Sequence, residues 1–282
     1  MGLCDATGIT PANTVGLSLG IWNAGEWLLK KREANLTARS QPPAKPLCVF
    51  SIGGQLTDCA NRSDFCYNTS EMARGKFITF EGGEGCGKST QVKRLREALE
   101  REGIEVVLTR EPGGTWLSEE IRHLIKDQAT DAPCDRSELL LFLAARAQLV
   151  RNVIRPALEA GKWVVSDRFS DSTLAYQGYG RGLPIDDLRR MNEFACEGLK
   201  PDLTLLLDVR PEVSRERMRS REAATATAAD RIEKAGDEFH ARLRSGFAAL
   251  AKAEPDRIVT IDANGAPDEV WELVWKSTRR FL

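Results

Sequence analysis

The stretch FEGGEGCGKSTQ, Phe80–Gln91, decides how the chain is read. It fits G-x-x-x-x-G-K-[ST], with Gly82, Gly87, Lys88 and Ser89 on the fixed positions. Lys76–Phe80 before it (KFITF) reads as a buried strand. After it, Val92, Leu95 and Leu99 recur at helical spacing. Strand, glycine-rich loop and helix are the context in which such a loop cradles phosphates. The glycines let several backbone N–H groups converge on one anion, and the helix N-terminus adds its positive end. Gly82, Gly83, Glu84, Gly85, Cys86, Gly87, Lys88, Ser89 and Thr90 are therefore the expected nucleotide-phosphate site. Lys88 would reach the β- and γ-phosphates, and the Ser89 hydroxyl would ligate Mg²⁺. A flexible loop that binds nothing is the alternative, and the context on both sides argues against it.

With 282 residues the chain holds one large or two small domains. A net charge of −1 gives no electrostatic reason to expect nucleic acid or an anionic membrane as a partner. No run of about 18 apolar residues suggests a membrane span. The seven cysteines are odd in number and contain no C-x-x-C pair, which argues against a disulfide framework and a structural zinc site. A reducing cytoplasm is the simplest compartment.

Residues 1–71 differ from the rest. They carry Cys4, Cys48, Cys59 and Cys66, show no sustained period, and contain the element-breaking SQPPAKP. Thr14–Leu29 is apolar, but its basic residues follow it, so it lacks the charged start of a secretion signal. Met72 stands just before the first strand. The expectation is that the domain spans 72–282 and that 1–71 is a disordered extension or a start-site artefact. An organelle-targeting segment is a further alternative.

Beyond the loop, strands are expected at 105–109, 163–167, 203–208 and 258–262. Helices are expected at 117–126, from 135 or 137 to 159, and at 170–177, 185–197, 212–220, 237–252 and 267–281. Pro156 should kink the last turn of the long helix. Alternating strands and helices imply an α/β, three-layer fold with a central parallel five-stranded sheet flanked by helices. Ligands then lie beyond the carboxyl ends of the strands. Arg110, Asp167 and Arg168 fall at such ends, and Arg215, Arg217, Arg219, Arg221 and Arg231 follow strand four. So much positive charge suits two phosphate groups. A phosphate monoester acceptor, with a second pKa of about 6, would need no general base. The two histidines, His123 and His240, sit in helical contexts that the sequence places far from these ends, consistent with that acceptor. A hydroxyl acceptor with an Asp base stays open.

FITFEGGEGCGKSTQ, TREPGGT, LLLFLAARAQ, SDRFSDSTLAYQGYGRGL, PDLTLLLDV and DRIE together resemble the bacterial thymidylate kinases, P-loop nucleoside monophosphate kinases. The likeness runs from Lys76 to about Leu282 and leaves the leader unmatched. It implies a P-loop NTPase-type fold, transfer of the γ-phosphate of ATP to dTMP with Mg²⁺ in dTTP biosynthesis, and a homodimer. Glu84 would contact the sugar 3′-hydroxyl. Phe142 and Arg146, four apart on one helix face, would stack on thymine and bond its O4. Arg168 would bind the dTMP phosphate, Arg110 would steer it, and Asp167 would lie near the Mg²⁺ shell. Ser172, Thr173, Tyr176 and Gln177 match the acceptor pocket, with Tyr176 crowding the 2′ position. Residues 220–233 would form a mobile lid carrying the catalytic Arg231. Plain core packing is the alternative for Phe142, a structural salt bridge for Arg110 and Arg168, and solvation for Glu84, Arg215 and Arg217. Arg146, a charge amid LAARAQL, wants a partner. The rival functions are another P-loop nucleoside monophosphate kinase and a non-kinase ATP-dependent switch, although no N-K-x-D signature favours a GTPase.

Overall fold

The computed structural model describes residues 74–126, 132–225 and 236–282, all within the unit Tyr67–Leu282. The leader, Met72 and Arg231 lie outside the described residues. In chain order the elements are β1 (Phe77–Glu81), α1 (Lys88–Arg101), β2 (Val106–Arg110), α2 (Trp116–Lys126) and α3 (Asp135–Leu149). A wide π-turn follows at Val150–Ile154, then α4 (Arg155–Glu159), β3 (Trp163–Asp167) and α5 (Ser170–Thr173). A second wide turn, Leu174–Gly180, leads to α6 (Ile185–Cys196), β4 (Leu203–Asp208) and α7 (Pro211–Thr225). The chain closes with α8 (Asp237–Ala253), β5 (Ile258–Asp262) and α9 (Pro267–Thr278), which ends in a 3₁₀ turn at Arg279–Phe281.

The strands form one parallel sheet in the order β2-β3-β1-β4-β5. β1 is buried throughout, as a central strand covered on both faces must be. One core cluster joins Phe80, Leu95, Leu205 and Val274; another joins Leu143, Tyr176, Phe239 and Phe247. β1 pairs with both β3 and β4, so the sheet reverses its winding direction there. A crevice opens beyond the carboxyl end of β1, where an α/β sheet binds ligands. Register sets Phe80 beside Asp167, and Arg110 beside Asp167 on the other side of β3. Residues far apart in sequence thus meet at one rim.

All five expected strands exist, two of them shifted by one residue to 77–81 and 106–110. The long helix departs from a plain α-helix one turn before Pro156. Proline has no N–H for the carbonyl four residues back, and the ladder widens so that Arg155 N–H bonds Val150 O. Likewise the helix expected at 170–177 becomes α5 plus a wide turn that absorbs Gly178–Gly180. α8 lies close against this turn. A Cβ on Gly246 would sit 2.6 Å from the Tyr179 ring, so only glycine allows the approach. α7 runs to Thr225, and residues 220–225 are therefore helical rather than the start of a loose lid. Alanine is also the best helix former, and this stretch carries two of them before Thr225.

Gly246→Ala should lower unfolding stability by about 1–3 kcal/mol through overpacking against Tyr179. Chemical denaturation checks this; an unchanged midpoint would mean that α8 and the wide turn are not tightly packed.

Candidate active site

The crevice is a cavity of about 510 Å³. Its floor is the phosphate loop. Gly87 takes a left-handed conformation at the start of α1, and no side chain caps that helix, which leaves its first N–H groups to an anion. Lys88 is buried, with Nζ 3.1 Å from Gly82 O and 2.9 Å from Gly83 O. Cys86 Sγ lies 3.4 Å from the same Nζ. The loop has no room for a further basic side chain: a Cβ on Gly85 would meet Ser214 O of α7 at 2.7 Å. Ser214 Oγ also donates to Glu84 O, so α7 is tied to the loop.

Ser89 Oγ donates to Asp167 Oδ2 at 3.2 Å. This hydroxyl–carboxylate pair on the cavity wall fits a hard divalent cation, which prefers oxygen ligands.

Arg168 is the centre of the site. Its backbone is left-handed (φ 76°), a conformation that costs a non-glycine residue about 1–3 kcal/mol. The turn is held by Arg168 N–H to Phe80 O at 2.9 Å and by Ser166 Oγ to Arg168 O at 2.7 Å. The guanidinium donates to Gly82 O at 3.0 Å, to Ser172 Oγ at 3.3 Å, and to Glu84 Oε1. It lies over the Tyr176 ring, 4.8 Å from the centroid, and Tyr176 Oη donates to Glu84 Oε1 at 3.1 Å. Burial alone would raise the Glu84 carboxyl, but the charges of Arg168 and Lys88 hold it at about 2. Burial pushes the Tyr176 phenol well above its ordinary range, so it is a neutral donor.

Arg146 is 1 % exposed, and the partner its setting demands is Glu111, which takes two of its N–H groups on Nε and Nη2. The other donations go to Thr173 Oγ1 at 2.8 Å, Asn192 Oδ1 and Phe169 O at 3.2 Å. An arginine has five N–H groups, and all five are engaged. The donor that the resemblance assigns to thymine O4 is thus committed to protein, and a base can bond it only by sharing or exchange. Phe142 lines the cavity while packing on Ile121, Ile125 and Ala145, so it is both wall and core. Arg110 lines the cavity and pairs with Glu119 at 3.0 Å; Gln177 is held by Glu138 at 2.9 Å.

Of the residues singled out above, Glu84, Gly85, Gly87, Lys88, Ser89, Thr90, Arg110, Phe142, Arg146, Asp167, Arg168, Ser172, Thr173, Tyr176 and Gln177 all line this one cavity. Gly82, Gly83 and Cys86 shape the loop from behind. Arg217, which the solvated alternative covered, instead lines the cavity and donates to Ala263 O and Gly265 O, both at 2.9 Å, and to Asn264 O. It joins α7 to the β5–α9 loop. Arg221 lines the cavity too. His240 is nearer the strand ends than its sequence position implied. α8 returns across the carboxyl edge of β4, and His240 lines a second cavity with Gly83 and Asp208.

Sequence reasoning missed Glu81, Glu111 and Asn192. Glu81 is fully buried at the end of β1. Burial and the neighbouring Asp171 push its pKa up to about 7, against the pull of Arg168 and of hydrogen bonds from Ser172 and Phe169. A charged residue ending an apolar strand was the available signal in each of FITFE and VVLTRE.

A parallel α/β sheet with a phosphate loop at its switch point, opening on a cavity lined by several arginines, defines a P-loop nucleotide phosphotransferase. Comparison with known proteins narrows the class. The family model described as thymidylate kinase matches residues 80–274. Thymidylate kinase from Solidesulfovibrio magneticus is 53% identical over 208 residues, covering 73% of this chain and 100% of that protein. The enzyme of the same name from a Synechococcus species is 52% identical over 199 residues, with coverages of 71% and 93%. The crystal structure of thymidylate kinase from Ehrlichia chaffeensis aligns with a TM-score of 0.56 and 37% identity, covering 72% of this chain and 98% of that one. The chain belongs to the thymidylate kinase family.

Two carboxyls give opposite pH dependences. Glu84, lowered from 4.5 to about 2, contributes stability that is complete above 4.5 and lost as pH falls toward 2. Glu81, raised from 4.5 to about 7, binds its proton more tightly in the folded state, so its contribution declines as pH rises from 4.5 to 7. Thermal unfolding across that second window should show a flatter midpoint curve for Glu81→Gln than for the wild type. Parallel curves would contradict the shift.

Proposed function

We propose that this cavity carries out the thymidylate kinase reaction, transfer of the γ-phosphoryl group of ATP to dTMP to give dTDP on the route to dTTP. The backbone N–H groups of the phosphate loop hold the β- and γ-phosphates. Lys88 exchanges its carbonyl partners for phosphate oxygens. Ser89 and Asp167 would hold Mg²⁺, which when bound neutralises charge across the β- and γ-oxygens. Arg168 binds the dTMP phosphate from its place beside the loop, and Arg110 turns from Glu119 to steer it. The acceptor oxygen is already ionised near neutral pH, so no side chain has to take a proton. Catalysis is then positioning and electrostatic stabilisation.

Phe142 stacks on thymine, and Arg146 with Thr173 reads its edge. Glu84 takes the sugar 3′-hydroxyl while Tyr176, fixed by that same carboxylate, crowds the 2′ position. An extra hydroxyl is thereby excluded by clash. Arg231 of the lid, together with Arg221, supplies the charge that Gly85 cannot carry. The observation that carries this reading is the convergence of phosphate-loop and acceptor residues, from the ends of β1, β2 and β3, from α3 and from α5 with its following turn, on one cavity. The switch alternative has no use for a second basic pocket facing Phe142.

The same reading takes residues 72–282 as the kinase domain and 1–71 as an extension dispensable for chemistry, supported by a family match that begins at Phe80. It takes the enzyme as a cytoplasmic homodimer. Exposed Leu124 on α2 and Leu140 on α3 support the dimer, and among the described residues no helix is long and apolar enough to cross a membrane.

Arg231→Ala should lower turnover with saturating dTMP at least about tenfold, the scale of losing one electrostatic donor. Unchanged turnover would remove Arg231 from the mechanism. ATP consumption measured without an acceptor should be slow, whereas brisk acceptor-free hydrolysis would favour the switch.

A further inference from the structure

We propose that Glu81 is a positioning residue that ties the donor loop to the acceptor turn, fixing where Arg168 meets the acceptor phosphate. The inference rests on the assignment of Arg168 above. Glu81 is the last residue of β1, directly before Gly82, and it touches no part of the cavity. Its side chain is 0 % exposed. Oε1 accepts from Phe169 N–H at 2.8 Å and Ser172 N–H at 3.2 Å, and Oε2 accepts from Ser172 Oγ at 2.6 Å. Those are the residues that immediately follow the left-handed Arg168 and the hydroxyl that Arg168 itself contacts.

A buried carboxyl is costly unless it does something that an apolar side chain cannot. Here it supplies the acceptor for the Phe169 amide at the exit of β3 and a second acceptor for Ser172 N–H, which also reaches Phe169 O at 3.1 Å. The left-handed Arg168 throws the chain away from the strand, and without Glu81 the 169–172 turn would lose its fixed anchor. The next residue completes the link from the other side: Gly82 O accepts both from Lys88 Nζ at 3.1 Å and from Arg168 at 3.0 Å. Residues 81 and 82 thus hold the donor lysine, the acceptor arginine and the acceptor turn in one frame. The charged groups facing the carboxyl are Asp171 and Arg168. In either protonation state Oε1 can accept both amides, so the positioning role survives a change of charge.

The experiment compares Glu81→Ala, Glu81→Gln and Arg168→Ala in the full chain, measuring KM for dTMP, KM for ATP and kcat separately. Glu81→Ala should raise KM for dTMP at least about tenfold, as small misplacements of binding groups do, with KM for ATP changed less than about twofold. Glu81→Gln keeps the amide acceptor and should recover most of the loss. Equal rises in both KM values, or equal damage in the Gln and Ala variants, would overturn the proposal, because a general loss of fold or a pure charge effect would suffice. Should Glu81→Ala fail to fold, amide exchange at Phe169 and Ser172 in Glu81→Gln is the second readout. Protection within about threefold of wild type supports the role, and full loss of protection with normal dTMP binding overturns it. Arg168→Ala separates the two claims. If it leaves KM for dTMP unchanged, the assignment of Arg168 fails; if it raises that KM while Glu81→Ala does not, only the role of Glu81 fails.

Discussion

One guanidinium holds the site together before any ligand arrives. Arg168 leaves β3 in a left-handed conformation and turns back over the phosphate loop, where Gly82 O, Glu84 and Ser172 receive it. The conformation is unfavourable for a side-chain-bearing residue, so the surroundings must impose it. They do so from two neighbouring parallel strands. β1 delivers the loop and β3 delivers the arginine, and their register sets Phe80 beside Asp167. A shift of one residue in that pairing would turn each side chain to the other face of the sheet. The geometry of phosphoryl transfer is in this sense a property of the β1–β3 ladder.

Four cations of the cavity rest on internal acceptors. Lys88 sits on loop carbonyls, Arg110 on Glu119, Arg168 on Glu84, and Arg217 on the carbonyls of residues 263–265. Pre-paid positioning of this kind is what phosphoryl transfer needs, since the enzyme contributes little covalent chemistry. Arg146 is different. Its charge is buried and fully bonded, and its ion pair with Glu111 joins α3 to the β2 loop. Removing one member would strand the other in a dry interior. Arg146 is as much a scaffold for the cavity as a wall of it.

The fold was legible because each of its signals is local. Apolar runs bounded by glycine mark the strands, and the phosphate loop stands between a strand and a helix. The site was legible in its cavity-lining residues, which come in short motifs. What escaped were groups defined only by tertiary burial. Arg146 announced that it needed a partner, but Glu111 lies 35 residues away and nothing in spacing names it. Glu81 fell between the expected strand, which ended at Phe80, and the phosphate loop, and only its depth shows that it serves as an acceptor. The wide turns at 150–154 and 174–180 depend on Pro156 and on close packing of α8, which periodicity does not encode. Arg217 and His240 were misplaced for a related reason: the path of α7 and α8 over the sheet is a property of the whole fold.

The most direct measurement is nucleoside diphosphate formation by the full chain with ATP and Mg²⁺, across dTMP, dUMP, dCMP, dGMP and UMP. Strong preference for dTMP, with UMP excluded, is the result this site predicts. Turnover of another monophosphate at a rate equal to or above that of dTMP would contradict a thymine pocket built from Phe142, Arg146 and Thr173, while leaving the phosphate loop and its fold in place.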